Sequence, residues 1–597
     1  MIWRDHDPDR AYIGWRVVDG SLRENLHEIV TRGSEAQAPT VVLQAWNLAQ
    51  SPPSLWWRIP HQPGLTLWLP VLRSSYMQPV TALSDGWVAQ TEDGAHLEYG
   101  AATWLERMAQ GLDPETRDLH RAYADEAELA VQHRALSLQA LQQQSADLHE
   151  VFEHPNAYRR LQRADQIASY RDHPYYPTAR AKTGLNEAAM RRYTPECAPS
   201  FALQWLAVPS PHVSVSTSAP DWWPTMSEVG LPAAMEQSHR LLPLHPLTWA
   251  RLPEFELPDN CVAAPHAYLS VQPTLSVRTV MLERYPDHHL KLPIPMYTLG
   301  ALSLRLMRPS SLYDGYWFQQ MLSRIATEDD YLRDRYLHVD EAHFGHVDEA
   351  RHLSYLLRRY PPALEAEQLI PVAALCGPMP DGRLLAWHLI ERYYDGDALR
   401  WWFDYLELLC QVHLRLWLVY GVALEANQQN TVLRYRHGSP PRLLMKDNDA
   451  ARLWLPRLRQ RLPDVERYGA LQNGRILATG DVPLGQMFCT IILQLNLLAV
   501  LEPLAADDTT LREAMYEALR HGLRTALRQL DEEGVDTAPA RALLDAPRLP
   551  VKYLMTAGSL LSKNRTGAAD IQKFYGNSAP NFMQPASAMK DDRCAAY

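Results

Sequence analysis

Two oxygen-bearing side chains stand at the two ends of a predicted β-hairpin in the C-terminal half. Asn430 precedes the β-compatible run "TVLRYR", Asp447 follows "RLLMK", and "HGSPP" lies between the runs. Because a hairpin returns the chain to its starting point, we expect Asn430 and Asp447 to lie close together. Amide and carboxylate oxygens are ligands of Mg²⁺. The spacing therefore predicts a magnesium site, or, with about equal weight, an Asx-rich turn that only stabilises the hairpin.

The predicted hairpin site carries one more carboxylate but lacks the usual phosphate loops. Glu425 precedes Asn430 by five residues. Mg²⁺ that few protein oxygens hold usually also binds a nucleotide's phosphates, and protein kinases place an Asn, a hairpin and a metal-binding Asp in this order. No Gly-rich loop of the Walker or kinase type occurs in the sequence. The sequence therefore offers no such loop in support of a nucleotide site at the hairpin.

A second cluster, of cations and hydroxyl groups, lies on the β-compatible runs "TLSVRTV" and "HLKLPI". Because side chains alternate along a strand, we expect Ser276 and Arg278 to share a face, and Lys291 to oppose its apolar neighbours. With a turn near 283–286, a simple hairpin register places Arg278 close to Lys291. Two facing cations repel unless an anion lies between them. The pattern predicts a phosphate or carboxylate site, and the alternative is two solvated surface residues.

A third basic stretch is "DHPYYPTARAKTG", which runs from Asp172 to Gly184. It combines His173 with the cations Arg180 and Lys182 between Pro-rich turns. Such a composition by itself is typical of an ordinary loop.

The elements that must position these clusters predict an α+β fold. Up to residue 150, the strand-like runs "TVVLQAW" and "LTLWLPVLR" precede an amphipathic helix over about 121–154. Between 155 and 370, strands such as "FALQWLAV" and "HLKLPIPMYTL" alternate with Pro-rich turns, and "APDWWPTMSEVGLP" resembles a loop that leads into a helix. "QLIPVAALCG" and "GRLLAWHLI" are interpreted as paired strands. From about 395 helices dominate, and an apolar stripe that includes Leu399 and Phe403 ends before a capping Gly421.

Length and composition limit the class of protein. The 597 residues exceed one compact core and predict about three or four domains. The net charge of −11 argues against a nucleic-acid binder, because phosphate backbones require a basic face. Six dispersed cysteines without a CxxC pair argue against zinc ribbons and disulfide frameworks. No signal-like start is apparent, and "MFCTIILQLNLLAVLEPL" predicts a buried helix, so we expect a reduced, cytoplasmic protein without a membrane span.

From about residue 150 onward, the ordered motifs resemble those of the NRPS-independent siderophore (NIS) synthetases, the aerobactin-synthetase family. "DHPYYPTARAKTG" is similar to HPxHPxxKxRxG, "LLPLHPLTW" with His245 to a second His-Pro segment, "SVRT" to S-x-R-T, and "HLKLP" to a Lys-bearing strand. "GVALEANQQN" resembles HGxxxExHxQN, "MKD" the Arg-Asp that follows, and "PVKYLM" and "APNF" the Lys-bearing helix and Asn-Pro segment. The order in which these short motifs occur together is specific.

The resemblance implies an α+β, cupped-hand architecture of mixed sheets and helical bundles, with a palm distantly like that of kinases. It implies a thumb-like segment 1–150, a fingers-like segment 151–370 with the phosphate-binding strands, and a palm-like segment 371–597 with the metal and nucleotide site. The implied reaction is ATP-dependent adenylation of a carboxylate, usually citrate or a citrate derivative. An amine or alcohol then displaces AMP. ATP and Mg²⁺ are the implied cofactors, neither nucleic acid nor membrane is an expected partner, and a homodimer is expected.

The resemblance also assigns roles to individual residues. The implied catalytic residues are Arg278, Lys291, His173 and Arg305. The implied ATP-binding residues are Ser276, Arg278, Thr279, Lys291, Asn427, Gln429 and Asn430. The implied metal ligands are Glu425, Asn430 and Asp447, and the implied substrate-binding residues are Arg180, Lys182, Arg305 and Lys552.

Departures from the family motifs leave other functions open. Asn427, Tyr420 and Tyr176 stand at motif positions where the family has His. Because Asn cannot act as a general base near neutral pH, we expect Asn427 to orient substrate instead. The alternatives are a kinase-like phosphotransferase that uses Asn430 and Asp447 for Mg-ATP, and a catalytically inactive homologue that binds nucleotide or carboxylate.

Overall fold

A computed structural model describes residues 1–47, 53–74, 76–298, 300, 304–567 and 573–584. The N-terminal elements are α1 (Pro8–Arg23), β1 (Ser34–Ala36), α2 (Thr40–Trp46), β2 (Trp56–Gln62), β3 (Leu65–Arg73), β4 (Val80–Ala82), β5 (Gly86–Thr91), β6 (Gly94–Tyr99), α3 (Ala101–Ala109) and α4 (Pro114–Gln144). The strands form an antiparallel sheet in the order β1-β2-β3-β5-β6, and β4 pairs with β3. The helices α1, α3 and α4 pack together and enclose an apolar core with this sheet.

The prediction of a strand over "TVVLQAW" is wrong, because this run forms the helix α2. Val42 and Trp46 are buried on one face of α2, and Trp46 packs edge-on against Trp56 of β2. Packing of this i, i+4 pair outweighs the strand preference of consecutive valines. "LTLWLPVLR" is confirmed as β3, and the predicted long helix is α4, which ends at Gln144 rather than near residue 154.

A second sheet of nine strands occupies the middle of the chain. Its elements and neighbours are α5 (Glu150–Glu153), α6 (Ala157–Ser169), α7 (Glu187–Tyr193), β7 (Phe201–Pro209), β8 (Val213–Val215), β9 (His239–Leu244), α8 (Pro246–Trp249), β10 (Val262–Ala263), β11 (Tyr268–Pro273), β12 (Thr279–Leu282), β13 (His288–Lys291), α9 (Pro309–Glu328), β14 (Tyr336–His338), β15 (Asp340–Val347) and β16 (Ser354–Arg359). The order is β10-β7-β11-β12-β13-β16-β15-β8, with β9 on β7.

The strand predictions in this region are confirmed in part. "FALQWLAV" forms β7. The strand predicted over "HLKLPIPMYTL" stops at Lys291, and its last residue, Leu299, lies outside the described residues. "APDWWPTMSEVGLP" forms turns that lead only into the short 3₁₀ helix Ala233–Gln237.

Ser276 and Arg278 do not lie on a strand, so the predicted alternation of their side chains is wrong. They lie in the turn between β11 and β12, where Val277 has a left-handed φ of 62°. β12 begins at Thr279, which pairs with Lys291 of β13. The Leu292 N–H donates to the Arg278 carbonyl oxygen at 2.8 Å. The predicted closeness of Arg278 and Lys291 is therefore confirmed, although a turn rather than strand alternation produces it.

A third, four-stranded sheet and several helices follow. The elements are β17 (Gln368–Pro371), α10 (Leu385–Tyr394), α11 (Ala398–Tyr420), β18 (Val422–Ala423), β19 (Thr431–Arg436), β20 (Ser439–Met445), β21 (Arg452–Leu453), α12 (Leu455–Arg461), α13 (Asp481–Met487), α14 (Ala499–Leu504), α15 (Thr509–Glu532), α16 (Ala538–Leu544), β22 (Arg548–Lys552), α17 (Lys563–Thr566) and β23 (Tyr575–Pro580). The sheet order is β14-β20-β19-β17, with β14 parallel to β20.

The predicted hairpin is confirmed as β19 and β20, with Thr431 opposite Met445. The predicted end of α11 is also confirmed, because Gly421 caps it with a left-handed φ of 70°. The strand predicted over "GRLLAWHLI" is wrong: most of it forms α10, whose Leu385 and Leu389 are buried four residues apart. Within the predicted stripe of α11, Leu399 and Phe403 are exposed instead of buried.

The most apolar stretch of the chain is an internal helix, as predicted. In the described part of the chain, Asp481–Leu504 is long and apolar enough to cross a membrane, and 94% of its most apolar window is buried inside the protein. A π-helical segment, Phe488–Leu498, joins α13 to α14 and packs against α11 and β22. Composition alone therefore does not make this helix a membrane span.

Candidate functional site

A cavity lies where the nine-stranded sheet, α9 and the loop after β20 meet. Its lining consists of Arg278, Lys291, Leu306, Met307, Ser311, Leu312, Gly315, Tyr316, Glu341, Leu356, Asp447, Asn448 and Asp449. Lys291 Nζ donates to Asp447 Oδ1, although 156 positions separate the two residues in the chain. The cationic segment and the oxygen-rich segment that the sequence singles out thus close around one cavity.

Arg278 and Arg305 add positive charge beside Lys291. The Arg278 Nη1 donates to the carbonyl oxygen of Leu306 at 3.2 Å. Burial and the neighbouring Arg278 lower the pKa of Arg305 to about 9, and Asp447 opposes this shift. Arg305 still carries a proton at neutral pH. Asp447 is thus the acidic group shared by these neighbouring cations, and an anionic ligand would reduce their mutual repulsion.

The hydroxyl groups near Arg278 stabilise the turn that carries it. Ser276 Oγ accepts a hydrogen bond from the Thr279 N–H at 3.1 Å. Thr274 Oγ1 donates to the carbonyl oxygen of Thr279 at 2.8 Å. These bonds close the turn across Val277 and fix where Arg278 leaves the backbone. The implied ATP contacts of Ser276 and Thr279 remain predictions.

Asp447 is held from two sides in a left-handed conformation with φ of 64°. Its Oδ1 lies 3.2 Å from Arg358 Nη2 and accepts the bond from Lys291. Burial would raise the pKa of Asp447, but Lys291 and Arg358 outweigh burial and hold this pKa well below its usual range. The carboxylate is therefore ionised and can bind a cation.

The hairpin base brings Asn430 beside the segment that carries Asp447. The N–H of Lys446 donates to the Asn430 carbonyl oxygen at 3.2 Å, and Asn430 Nδ2 donates to the Glu425 carbonyl oxygen at 3.1 Å. Asn427 Oδ1 accepts hydrogen bonds from the N–H groups of Gln429 and Asn430, both at 3.1 Å. An Asx turn thus shapes the loop before β19, in agreement with the structural alternative for the Asn residues.

Glu425 forms a buried ion pair with Lys552, in which Nζ lies 3.1 Å from Oε1. The second oxygen, Glu425 Oε2, is buried and has no hydrogen-bond partner among the described residues. Lys552 lies at the end of the strand β22 rather than on the helix that the resemblance implies. A buried carboxylate oxygen without a donor is available to a cation.

The donor set suits a magnesium ion that is shared with a ligand. Within the described ranges, no three His, Cys, Asp or Glu side chains are close enough to one another to hold a metal ion. The Asp447 carboxylate, Glu425 Oε2 and Asn430 Oδ1 are all oxygen donors. Mg²⁺ is usually bound by one or two carboxylates together with water and substrate phosphates. The residues present therefore fit Mg²⁺ that arrives with a nucleotide.

His173 is a half-buried, neutral histidine close to Lys552. Its Nδ1 accepts hydrogen bonds from the N–H groups of Tyr175 and Tyr176 at 3.2 and 3.1 Å. Burial, followed by the charges of Arg16 and Lys552, lowers the pKa of His173 to about 3. His173 is therefore uncharged at neutral pH and shares the electrostatic neighbourhood of the Glu425–Lys552 pair.

Arg180 and Lys182, which the resemblance places on the substrate, contact internal acceptors in this structure. Arg180 Nε donates to Asp172 at 2.8 Å, and its other nitrogens donate to Ser137 Oγ and to two carbonyl oxygens. Lys182 Nζ forms a buried pair with Glu196 at 2.5 Å. Neither residue lines the cavity. Internal acceptors engage both cations, and their implied contacts with substrate remain predictions.

Three further motif residues also lie off the cavity: Tyr420 and Tyr176, which stand where the family has His, and His245. Tyr420 OH donates to Asp329 at 2.9 Å, and Tyr176 OH donates to Glu126 at 2.8 Å. His245 Nδ1 accepts from the Leu247 N–H at 3.1 Å and caps α8. None of these three residues lines the cavity, so the exchanges at Tyr420 and Tyr176 do not alter its walls.

Sequence reasoning missed Glu341 and Arg358, which contact Asp447. The Asp447 N–H donates to Glu341 Oε1 at 3.2 Å, and Arg358 Nε donates to the same oxygen at 2.6 Å. Both residues lie on adjacent strands, β15 and β16, and outside the motifs of the resemblance. A charged residue in a strand that is otherwise buried is a signal that could have identified them.

Two family models match the chain: the "IucA / IucC family" over residues 160–377, and the "Ferric iron reductase FhuF-like transporter" over residues 399–568. The chain is 25% identical over 411 residues to staphyloferrin B synthase of Staphylococcus aureus, an alignment that covers 63% of this chain and 67% of that protein. It is 27% identical to the rhizobactin siderophore biosynthesis protein RhbC of Rhizobium meliloti, with coverages of 68% and 72%.

Solved structures share the fold over nearly the whole chain. The petrobactin biosynthesis protein AsbB of Bacillus anthracis superposes with a TM-score of 0.73 at 16% identity and covers 98% of this chain and 97% of its own. ATP-bound aerobactin synthetase IucA of Klebsiella pneumoniae gives a TM-score of 0.69 at 16% identity, with coverages of 96% and 99%. The matched family model and the named relatives make the chain similar to the IucA/IucC family, the NIS synthetases, and the solved structures share its fold.

Proposed function

We propose that the protein is an ATP-dependent siderophore synthetase that adenylates a carboxylate and condenses it with an amine or alcohol, releasing AMP and pyrophosphate. The observation that carries this proposal is the single cavity shared by Arg278, Lys291 and Asp447. Similarity to the IucA/IucC family supports the reaction class, because the relatives are named as siderophore synthases and ligases. Cytoplasmic location and a homodimer belong to the same proposal.

The cations of the cavity supply the charge stabilisation that adenylation requires. When a carboxylate attacks the α-phosphate, negative charge develops on the phosphate oxygens and on the departing pyrophosphate. Lys291 and Arg278 lie in the cavity wall where such oxygens would bind, and Arg305 reinforces their positive potential. Ser276 and Thr279 hold the turn that aims Arg278. Once the nucleotide is bound, cations already in contact with its oxygens lower the barrier because they need no rearrangement during the chemical step.

The hairpin base supplies oxygens for the metal. Asp447, Asn430 and Glu425 Oε2 would hold Mg²⁺, which when bound neutralises phosphate charge. Gln429 and Asn427 lie in the same loop and would contact the nucleotide, and the Nδ2 group of Asn427 is the atom that its Asx turn does not use. Asn427 thus donates hydrogen bonds and does not transfer protons.

We place the binding position of the reacting carboxylate next to His173 and Lys552. His173 is neutral at pH 7 and its Nδ1 accepts backbone N–H groups, so Nε2 carries the proton and can donate a hydrogen bond without adding charge. Lys552 and Arg305 are the cations that would pair with carboxylate oxygens. Citrate or a citrate derivative is the proposed acid, since relatives include the L-2,3-diaminopropanoate–citrate ligase of Staphylococcus aureus, 25% identical over 312 residues.

The proposal is tested by incubating the protein with ATP, Mg²⁺, citrate and hydroxylamine. We expect citryl-hydroxamate together with AMP and pyrophosphate. ADP and a phosphorylated product would instead identify a kinase-like phosphotransferase built on Asn430 and Asp447. Nucleotide binding without turnover across a panel of carboxylates and amines, read by mass spectrometry, would identify an inactive homologue.

A further inference from the structure

Asp447 has two cationic partners, and they differ in how firmly the protein holds them. We infer that Glu341 and Arg358 are positioning residues that keep Asp447 aimed into the cavity when Lys291 moves from Asp447 to a phosphate. This inference rests on the proposed function, because that function gives Lys291 a phosphate partner and Asp447 a metal.

Lys291 is the partner that can leave. Its side chain lines the cavity, and Asp447 is the acceptor of its ammonium among the described residues. A lysine is a point charge on a flexible stem, so it can turn from one anion to another with little change in the backbone. A triphosphate carries more negative charge than one carboxylate. Nucleotide binding therefore draws Lys291 away and leaves Asp447 free for Mg²⁺ on that side.

Arg358 is the partner that stays. It lies behind the cavity wall on β16, and its side chain is 3% exposed. Its Nε donates a hydrogen bond to Glu341 Oε1 at 2.6 Å, while its Nη2 lies 3.2 Å from Asp447 Oδ1 as an ion pair without hydrogen-bond geometry. The planar guanidinium makes both contacts from one fixed fork, so Arg358 cannot follow a ligand without losing Glu341. It therefore keeps Asp447 charged and oriented throughout.

Glu341 holds the backbone of the same residue. Its Oε1 accepts the N–H of Asp447, whose left-handed φ of 64° is a strained conformation for a residue with a side chain. The N–H of Glu341 in turn donates to Gln319 Oε1 of α9 at 2.7 Å. β15, β16, α9 and the loop after β20 are thus connected through this pair, which positions Asp447 from outside the reacting atoms.

The test separates metal-dependent from metal-independent nucleotide binding. The double variant Glu341→Gln/Arg358→Met removes both charges, so neither is left buried alone. Binding of a non-hydrolysable ATP analogue is measured by calorimetry in EDTA and in Mg²⁺. We expect affinity in EDTA to change little, while the gain from Mg²⁺ falls by about 10-fold or more, as for other residues that orient metal ligands. The single variant Arg358→Lys, which keeps Glu341 and the positive charge, should retain part of the affinity gain from Mg²⁺.

The matched control is Glu367→Gln/Arg434→Met. Arg434 and Glu367 form a similar buried pair, at 2.7 and 3.1 Å, on β19 and the loop before β17. We expect the control to lower the thermal midpoint without changing the Mg²⁺ effect. An unchanged Mg²⁺ effect in the site variant, or an equal loss in the control, would overturn the positioning role while leaving the proposed function intact. A wild-type protein that binds no Mg-nucleotide would overturn the proposed function itself.

Discussion

The basic residues of this protein differ in whether an acidic partner already holds them. Lys182 and Arg180 form buried pairs with Glu196 and Asp172. Arg278 and Arg305 form no ion pair within the described ranges, yet Asp447 is close enough to affect the pKa of Arg305. The sequence shows a cation but not its partner, because the partner is set by the fold. Motif resemblance alone therefore cannot separate a ligand-binding cation from a structural one.

Replacing Lys291 should impair chemistry more than folding. Lys291→Ala removes a cavity cation but leaves Asp447 paired with Arg358, so we expect kcat/KM for ATP to fall by about 10²- to 10³-fold. The thermal midpoint should change by only a few degrees. The comparison variant is Lys182→Ala, which leaves Glu196 buried and unpaired and costs about 3–5 kcal/mol of stability. Equal effects of the two variants on folding and on activity per folded molecule would count against a nucleotide role for Lys291.

Asp172 should make stability depend on pH in the acid range. Burial would raise its pKa, but Arg180 and Arg16 outweigh burial and lower the pKa to about 2, from an ordinary value of 3.8. A lowered pKa gives stability that is complete above pH 4 and is lost as pH falls toward 2, worth about 2 kcal/mol at neutral pH. Asp172→Asn should therefore lower the denaturation midpoint at pH 7, and the deficit should shrink below pH 4. A deficit that is the same at pH 7 and pH 3 would show that this charge pair does not produce it.

At the scale of elements, residues with strong local preferences were predictable from the sequence. Gly421 ends α11, and the hairpin of β19 and β20 follows from two β-compatible runs around a Gly-containing turn. The failures are α2, α10 and the turn at 276–278, where the run of residues favours a strand in isolation. Packing of buried side chains makes α2 and α10 helical, and the left-handed conformation of Val277 produces the turn. Neither cause can be read from a local sequence pattern.

Gly421 should contribute to stability for two reasons, its left-handed backbone and its close approach to Trp454. Comparison with Gly438, which has only the first feature, separates the two contributions. The φ of Gly421 is 70°, and a Cβ there would lie 2.8 Å from the Trp454 carbonyl oxygen. Gly438, in the turn between β19 and β20, has a φ of 72° but open space around it. We expect Gly438→Ala to cost about 1 kcal/mol, for the backbone alone, and Gly421→Ala to cost about 1–3 kcal/mol more. Thermal denaturation measures both, and equal losses would show that the close approach to Trp454 contributes nothing.

At the scale of the whole molecule, the site exists only because two sheets meet. β14 leaves the middle of the chain to pair with β20, and the Val339 N–H donates to the Met445 carbonyl oxygen at 3.0 Å beyond that pairing. This contact brings the loop that carries Asp447 against β13 and β16. The order of the motifs predicted which segments belong to the site. Their juxtaposition depends on contacts over more than a hundred residues, which no local pattern contains.

A nucleotide that bridges these two sheets should stabilise them together. A ligand that binds only the folded protein raises stability by about 2.7 kcal/mol at a concentration of 100 Kd. Because the cavity takes Lys291 from one sheet and Asp447 from the loop of the other, a non-hydrolysable ATP analogue with Mg²⁺ should shift the unfolding of both regions upward. Hydrogen exchange read by mass spectrometry can follow β13 and β20 separately.

Asp447→Asn tests whether Mg²⁺ is needed for the nucleotide to stabilise β13 and β20 together. It keeps the size of the side chain but removes the charge that binds Mg²⁺, so the protection that Mg²⁺ adds should disappear in β13 and β20 alike, while the analogue without metal retains its smaller effect. The N-terminal sheet, which contributes no residue to the cavity lining, serves as the internal control. Protection confined to β20, with β13 unchanged in the wild-type protein, would mean that the nucleotide lies on the hairpin alone and that Lys291 does not reach it.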